Sequence, residues 1–299
     1  MNAPDRDAAD VRTTFNRLLA ELRPKLHRYC ARMTGSVIDG EDVVQEALAD
    51  AIASFPADGT IANPEGWLFR VAYTTALDFL HRRARHRATL SDEDPNLIVD
   101  PVSTARDREI AAASLHTFMR LPAGQRSSVI LMDVLGYSLQ EICEITAGSL
   151  PAVKATLHRG RVRLRELARE PDDRPRPVLA EPERARLAAY VARFNARDFD
   201  TLRDLLAEDV RLDLVARRQL QGREDVKEYF HQYARVDQWQ MAAGFVDRRP
   251  AVLAYDCSDL GGRPAFFILL DWRGETLVDI RDFLFARYAV DGAEVITLE

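Results

Sequence analysis

The stretch that decides the fold in the middle of the chain is residues 136–167, which read GYSLQEICEITAGSLPAVKATLHRGRVRLREL. Ser138 followed three residues later by Glu141 is the pattern of a capping box, which starts a helix. The Ala147–Ser149 segment predicts a tight turn, and Ser149 is a good cap for a second, longer helix. A short helix, a turn with glycine and a longer helix together predict a helix-turn-helix.

The second helix of this motif divides into two faces. Val153, Leu157, Leu164 and Leu167 fall on an apolar face, and basic residues recur on another face at helical spacing. The N-terminal part of such a helix enters the major groove, and backbone contacts flank it. A solvated, arginine-rich helix face is the alternative. The expected DNA contacts are Lys154, Thr156, His158 and Arg159 to bases, Arg161, Arg163 and Arg165 to phosphates, and Ser149 at the helix start.

The charge of the chain is unevenly distributed. The formal charge is −6, from 41 basic and 47 acidic residues, which by itself argues against nucleic-acid binding. Yet the run His81–Arg87 holds four arginines and no acidic residue, and Lys154–Arg165 holds one lysine and four arginines, again with no acidic residue. Such local basic patches are the electrostatic footprint expected of a DNA-binding surface.

The chain divides into helical zones and a mixed zone. Its 299 residues suggest about two domains, and the composition excludes collagen-like, disulfide-framework and globally disordered proteins. Apolar residues recur at helical spacing in the first zones, and Asn63 followed by Pro64 starts a helix that carries Trp67. These patterns divide the chain further than its length alone suggests, and we expect two all-α domains and one α+β domain. The expected boundaries are 11–87 and 106–170 for the helical domains, 183–299 for the third domain, and linkers at 88–105 and 171–182.

The third zone carries both helix and strand patterns. Two turns separate the last strands, at Ser258–Gly262 and Arg273–Glu275. The predicted helices are Pro182–Ala196, Phe199–Ala207 and Gly222–Tyr233. The predicted strands are Val210–Val215, Met241–Val246, Ala251–Cys257, Pro264–Trp272 and Thr276–Tyr288.

The cysteines and the N-terminus favour a soluble cytoplasmic protein. Cys30, Cys143 and Cys257 are odd in number and far apart, which is typical of small buried hydrophobes in a reducing compartment and not of a metal site. The polar N-terminus lacks a signal-peptide core, and no apolar run reaches the roughly 18 residues of a membrane span. We expect no membrane association, no metal and no cofactor.

Segments before the helix-turn-helix complete a larger pattern. They are DVVQEAL at residues 42–48, and WLFRVA at 67–72 followed by ALDFL at 76–80 and the first basic run. In order and spacing, these segments and the helix-turn-helix resemble an extracytoplasmic-function (ECF) sigma factor of the bacterial sigma-70 family over about residues 15–167. The resemblance implies a protein, not itself an enzyme, that directs core RNA polymerase to promoter DNA.

The resemblance also implies roles for individual residues, carried over by their match to the family motifs. Thr74 and His81 depart from the family, which often has asparagine and arginine at these positions. Contacts with the β′ coiled coil of core polymerase fall on Asp42, Val43, Gln45, Glu46 and Leu48. Contacts with the minus-ten element fall on Asn63, Trp67, Arg70, Thr74, Arg82, Arg83 and Arg85. The helix-turn-helix corresponds to region 4, which reads the minus-thirty-five element, and the β flap is the second implied polymerase contact.

Other features near these motifs keep two interpretations open. In the family, a loop corresponding to Pro56–Asn63 holds a flipped minus-ten base, which agrees with the need of strand separation for a base pocket and a basic track. Trp67 is either a stacking platform or, more simply, a core residue. The acidic segment Ser91–Asp100 resembles the connector that threads through polymerase near the RNA exit path, or it is a plain spacer.

The third zone resembles a SnoaL-like domain of the nuclear-transport-factor-2-like fold, a curved sheet and helices that form a cone. The matching segments are 190–200, 205–210, 222–224 and 280–283. In a subset of ECF factors such a domain regulates the sigma factor, and we expect it to pack on the sigma regions. The cone would enclose a pocket lined by Phe194, Trp239, Phe245, Phe267 and Trp272.

Two other functions remain alternatives at the level of sequence. The fold hosts many functions, so the third domain is alternatively a small-molecule-binding domain or an enzyme. Its candidate acid–base residues are His231, Asp209, Asp271 and Asp282. The second alternative is a helix-turn-helix regulator that never contacts polymerase, against which the Asp42–Leu48 segment argues.

Overall fold

The computed structural model describes residues 3–56, 61–88, 113–170, 173–259 and 262–298. The chain divides into two compact units, residues 1–172 and 173–299. The Ser91–Asp100 segment, most of the expected 88–105 linker and residues 57–60 of the Pro56–Asn63 loop lie outside the described residues.

The described part of the first unit is helical, as predicted, and several of its helices begin at side-chain caps. The Ser36 hydroxyl accepts hydrogen bonds from the amides of Ile38 and Asp39, and Asn63 Oδ1 accepts one from the Gly66 amide at 3.0 Å. Ser138 and Glu141 form the predicted capping box. The helices are α1 (Ala3–Thr34), α2 (Val37–Ser54), α3 (Pro64–Ala88), α4 (Leu115–Met119), α5 (Ala123–Val129, continued by a π-helical segment at Ile130–Val134), α6 (Leu139–Thr146) and α7 (Leu150–Leu167).

The two helical zones share one continuous apolar core instead of forming separate cores. Tyr29 on α1 lies with its hydroxyl 2.9 Å from that of Ser127 on α5, and the ring of Phe69 on α3 lies 5.1 Å from that of Tyr137 before α6. The buried Arg126 guanidinium donates to the carbonyl oxygens of Met33, Met119 and Leu121. Residues distant in the sequence therefore tie the helix-turn-helix to the first three helices.

The second unit is α+β, as predicted, with helices packed on a mixed sheet. Its elements are α8 (Glu181–Asn195), α9 (Phe199–Asp204), β1 (Leu206–Leu214), β2 (Arg218–Gln221), α10 (Arg223–Ala234), β3 (Trp239–Val246), β4 (Arg249–Asp256), β5 (Phe266–Arg273), β6 (Thr276–Asp282), a 3-10 turn (Arg287–Val290) and β7 (Val295–Thr297). The strand order is β2-β1-β6-β5-β4-β3-β7. Strands β1 and β6 are parallel, and the other neighbouring strands are antiparallel.

Several predicted boundaries in this unit are wrong. The predicted helix to Ala207 ends at Asp204, because Leu206 and Ala207 are buried in β1. The predicted strand to Tyr288 ends at Asp282, whose side chain is fully buried. The short strands β2 and β7 carried too little alternation to be predicted. A two-residue turn at Asp247-Arg248, both with positive φ, joins β3 to β4.

Neither unit contains, in its described residues, a helix long and apolar enough to cross a membrane or a cluster of three metal-ligating side chains. The cysteines are free, but they are not uniformly buried as predicted. Cys30 is buried, Cys143 is half-buried and Cys257 is exposed, because it follows the end of β4.

Candidate nucleic-acid interface

Helix α7 is seated on the first unit by the predicted apolar face. Val153, Leu157, Leu164 and Leu167 are buried. Gly160 lies against α5, where an added Cβ would come within 2.7 Å of Val129 Cγ2 and 3.0 Å of the Gln125 carbonyl oxygen. Only glycine permits this close approach, which fixes the depth at which the helix sits. The opposite face of α7 is thereby directed to solvent.

The basic side chains of α7 divide into outward-facing residues and residues with partners in the protein. Lys154 is exposed, and His158, Arg159 and Arg165 are half-exposed. Within the described ranges, Lys154, Arg159 and Arg165 take part in no ion pair. Ser149 acts as the predicted cap, with its hydroxyl 3.4 Å from the Ala152 amide. The N-terminal part of α7 thus offers an open basic surface.

Three expected DNA contacts have intramolecular partners that the sequence did not indicate. Arg161 forms an ion pair with Asp133, whose side chain is 2% exposed, and its Nε donates to Asp133 Oδ2 at 2.9 Å. Arg163 pairs with Glu166 at 3.0 Å on the surface. The Thr156 hydroxyl lies 2.9 Å from that of Ser128 on α5. These partners lie outside the acid-free run, so counting charges within the run could not reveal them.

The expected polymerase contacts on α2 do not all reach the surface. Asp42 and Glu46 are exposed and Gln45 is half-exposed, one helical turn apart along one face. Val43 is fully buried and Leu48 is 8% exposed. These two apolar side chains support the helix from inside the core, which corrects the expectation that they offer a contact surface.

Two expected minus-ten arginines contact acidic residues of α2. Both Glu46 carboxylate oxygens accept hydrogen bonds from Arg82, at 3.0 and 2.6 Å, and this bonding raises the pKa of the Arg82 guanidinium. Arg83 pairs with Asp39 at 2.7 Å, and the Asp39 side chain is only 7% exposed. The first basic run is therefore partly neutralised by a neighbouring helix. Arg85, further along the same run, is exposed.

A cavity of about 480 Å³ lies between α2 and α3 and collects three expected minus-ten residues, Trp67, Arg70 and Thr74. Trp67 is half-buried, with its ring 6.2 Å from that of Phe15, so it packs on the core and also faces the cavity. The cavity wall also holds Glu46 and two acidic residues that no motif in the sequence indicated, Asp50 and Asp78. Asn63 lies outside this cavity as the exposed cap of α3.

In the second unit, the four acid–base candidates do not converge. His231 is exposed and pairs with Glu228 at 3.4 Å, and Asp209 is exposed and pairs with Arg273 at 3.5 Å. Asp271 is also exposed, on β5. Only Asp282 is buried. The geometry gives no set of neighbouring acid and base among these residues.

Asp282 lies at the base of a second cavity of about 540 Å³. Its Oδ2 accepts hydrogen bonds from the hydroxyls of Tyr229 at 2.9 Å and Tyr233 at 2.7 Å, and its Oδ1 accepts one from the Leu284 amide at 2.8 Å. Burial raises the pKa of Asp282 to about 6, although these hydrogen bonds act in the opposite direction. Burial and the nearby carboxylate raise the pKa values of both tyrosines, which therefore stay protonated as donors.

The predicted aromatic lining of the cone is only partly present. Trp239 lines the second cavity, whereas Phe194, Phe245 and Phe267 are buried in the packing of sheet and helices. Trp272 instead contacts the Tyr190 ring at 6.4 Å. The lining tyrosines, Tyr229 and Tyr233, were missed, although their spacing of four on a predicted helix placed them on one face.

Comparison with known protein families assigns three segments. The Sigma-70 region 2 profile matches residues 18–86, the Sigma-70 region 4 profile matches residues 115–164, and the SnoaL-like domain profile matches residues 187–288. The first two matches cover α2–α3 and the helix-turn-helix. The third match covers most of the second unit.

Individual relatives carry the same family description. The chain is 28% identical over 230 residues to the ECF RNA polymerase sigma factor SigG of Mycobacterium tuberculosis, a match that covers 68% of this chain and 62% of SigG. It is 30% identical over 162 residues to SigM of the same species, covering 53% of this chain and 79% of SigM. The crystal structure of SigJ from that species is 22% identical, with a TM-score of 0.34, covering 89% of this chain and 95% of that chain. By the three family profiles and the match to SigM, the chain belongs to the ECF RNA polymerase sigma factors and combines sigma regions 2 and 4 with a SnoaL-like domain.

Proposed function

We propose that this protein acts as an RNA polymerase sigma factor that directs core polymerase to specific promoters and starts transcription there. The observation that carries the proposal is the recognition helix α7, capped, seated by a buried apolar face and open to solvent at Lys154, His158 and Arg159. It lies in a chain that also matches sigma region 2. In this proposal α7 reads the minus-thirty-five element, with base contacts from its N-terminal half.

The surface of α2 is the proposed contact with the β′ coiled coil of polymerase. Asp42, Gln45 and Glu46 form an acidic and polar strip on this helix, which suits a protein partner better than a phosphate backbone. The second proposed polymerase contact is between region 4 and the β flap. Burial of Val43 and Leu48 keeps the strip rigid, because the opposite face of the helix is locked in the core.

The cavity between α2 and α3 is the proposed site for an unpaired minus-ten base. Its acidic wall disfavours a phosphate, whereas a base has hydrogen-bond donors and a face that stacks on Trp67. The arginines at the end of α3 would follow the strand backbone. Arg82 must first leave Glu46, but an exposed ion pair contributes only about 0–1 kcal/mol, so a DNA phosphate readily replaces this carboxylate.

The protein is proposed to act in the cytoplasm. Its SnoaL-like domain is proposed to modulate the sigma activity through contact with the sigma regions and to catalyse no reaction of its own. The scattered positions of His231, Asp209 and Asp271 support a role without catalysis. The enclosed Asp282 beside a cavity favours the alternative of a ligand-binding domain over that of an enzyme. In this proposal, promoter DNA and core polymerase remain the partners of the first unit.

Retention of core polymerase by the tagged full chain tests the proposal. Asp42→Lys reverses the charge of the α2 strip, and we expect it to abolish retention. The matched control is Asp225→Lys, which makes the same change at an exposed position on α10 of the second unit. No retention of core polymerase by the unaltered chain would contradict the proposal, as would equal retention by the Asp42→Lys variant and the control.

A further inference from the structure

The cavity of about 540 Å³ in the second unit has the size of a small-molecule site. It lies between the C-terminal half of α10, the turn from β1 to β2 and the segment that follows β6. Its lining differs from the one predicted from the sequence, which included Phe194, Phe245, Phe267 and Trp272. The residues that do line the cavity determine which ligand it fits.

Part of the wall is apolar and exposed. Val236 is 40% exposed and Phe285 is 44% exposed, although both are large apolar side chains. Leu214 and Leu284 continue this surface into the cavity. Exposed apolar surface that is concave and continuous gains free energy when an apolar group covers it. The wall therefore favours a ligand with an apolar body.

The mouth of the cavity carries three arginines, Arg217, Arg218 and Arg287. The Arg217 guanidinium lies over the Phe285 ring at 4.5 Å, and that of Arg287 lies over the Trp239 ring at 5.0 Å. In the described part of this unit, no carboxylate lies within 4 Å of these three guanidinium groups. Stacking on an aromatic ring holds a guanidinium in place and leaves its N–H donors directed to a ligand.

The floor does not neutralise this positive charge. Asp282 is buried beneath Tyr229 and Tyr233, and its two oxygens accept three hydrogen bonds from within the domain. The Asp282 carboxylate, whose hydrogen bonds all come from within the domain, is therefore outnumbered by the three guanidinium groups at the mouth. Asp256 is near enough to Arg287 for that guanidinium to help lower the pKa of its carboxyl, but the two form no ion pair. The cavity thus combines an apolar wall with a cationic rim whose arginines outnumber the nearby carboxylates, and guanidinium groups bind a carboxylate in a paired geometry.

From this combination we infer that the cavity binds a small amphiphilic organic anion, with an apolar body against Val236 and Phe285 and its acid group at Arg217 and Arg287. This site is separate from the proposed polymerase and promoter contacts, and binding is measurable without polymerase or DNA. Failure of the ligand experiment would leave the transcription proposal intact, and the reverse also holds.

The test uses the full chain and two chemically defined probes. Anilinonaphthalene sulfonate reports binding by its fluorescence, and decanoate competes for the same site. We expect saturable binding of the dye and its displacement by decanoate, with decanol competing at least about tenfold less well because it lacks the charge. The double variant Arg217→Gln/Arg287→Gln should weaken decanoate competition by about tenfold or more.

Two further variants keep the result interpretable. The control Arg211→Gln/Arg273→Gln removes the same charge at side chains that are both 71% exposed and lie outside the cavity, and it should compete like the parent chain. Val236→Trp fills the cavity from an exposed position and should abolish displaceable binding. Equal competition by decanol and decanoate, equal weakening in the control, or unchanged binding in Val236→Trp would overturn the inference.

Discussion

Arg161 and Arg165 lie one helical turn apart on α7 and look equivalent in the sequence. Arg161 is paired with Asp133, whose carboxylate is almost fully buried, whereas Arg165 forms no ion pair in the described ranges. Removing the partner of a buried charge is costly, because the remaining carboxylate is left desolvated and unpaired. The same substitution at these two positions should therefore have different consequences.

We expect Arg161→Ala to lower the free energy of unfolding of the first unit by about 2 kcal/mol, measured by urea denaturation. Arg165→Ala should change this free energy by less than about 0.5 kcal/mol. The variant should, however, bind promoter DNA with a smaller salt dependence: the slope of log K against log salt concentration should fall in magnitude by about 1. A stable Arg161→Ala variant would argue against the structural role of this pair. An unchanged salt slope in Arg165→Ala would argue against its phosphate contact.

The buried Asp282 should make the stability of the second unit depend on pH. Its raised pKa means that the folded state binds the proton more tightly than the unfolded state, so its contribution to stability improves as the pH falls through about 6. Tyr229 and Tyr233 stay neutral throughout this range. We expect the unfolding free energy of the second unit, relative to Asp282→Asn, to rise by roughly 2 kcal/mol from pH 7 to pH 4.

Hydrogen exchange of the β6 amides measures this difference in the full chain. The Asp282→Asn variant retains a side-chain oxygen for the tyrosine hydroxyls and removes the titration, so other carboxylates cancel in the comparison. Parallel pH profiles for the two proteins between pH 4 and pH 7 would contradict the assignment.

At the scale of elements, α1, α3 and the start of the helix-turn-helix are joined by hydrogen bonds to one carboxylate. Lys25 donates to Glu65 at 2.6 Å, and the Tyr137 hydroxyl donates to the same carboxylate oxygen at 2.5 Å. Burial acts to raise the pKa of Glu65, but the hydrogen bonds from Lys25 and Tyr137 outweigh it and keep the pKa below its usual value. This cluster joins regions 2 and 4 of the family pattern.

We expect Tyr137→Phe to lower the free energy of unfolding of the first unit by about 1 kcal/mol, since it removes one hydrogen bond to a charged group. Tyr73→Phe on α3 is the matched control, because Tyr73 is half-buried and its hydroxyl makes no hydrogen bond within the described residues. Urea denaturation of both variants measures the difference. Equal losses of stability would show that the contact to Glu65 does not hold the helices together.

The elements that the sequence predicts best are those whose signals are local. The capping box at Ser138 and Glu141 and the caps at Asn63 and Ser149 lie where predicted, because a cap depends on residues only a few positions apart. Val43 and Leu48 follow the apolar helical spacing, but the motif match assigned them to the polymerase contact, since such a match does not say which face of a helix meets the core. The ion pair of Arg161 with Asp133 depends on how two helices pack, so no local pattern indicated it.

The candidate sites show the same limit at larger separations. Trp67, Arg70 and Thr74 were predicted and do meet in one cavity, because they lie on one helix. The cavity at Asp282 joins residues from β1, α10, β3 and the segment after β6, which become neighbours only through the parallel pairing of β1 and β6. Two short edge strands, β2 and β7, likewise become visible only in the sheet.

For the whole molecule, the charge of −6 and the two basic runs are compatible. Acidic residues of α2 neutralise part of the first run, and the outward face of α7 keeps its positive charge. We expect deletion of the second unit after Pro182 to change the transcription rate from a cognate promoter, because this unit is proposed to modulate the sigma activity. Equal transcription rates with the full and the truncated chain would contradict this modulating role.

The central claim is that this chain gives promoter specificity to core RNA polymerase. Transcription in vitro with purified core polymerase, on DNA fragments selected by the holoenzyme from a random library, tests it most directly. The account predicts transcripts with one defined start per fragment, lost in the Lys154→Ala/Arg159→Ala double variant and retained in Asp225→Lys. The claim would be contradicted if core polymerase made the same transcripts without the added chain. It would also be contradicted if the Lys154→Ala/Arg159→Ala variant supported as much transcription as the unaltered chain.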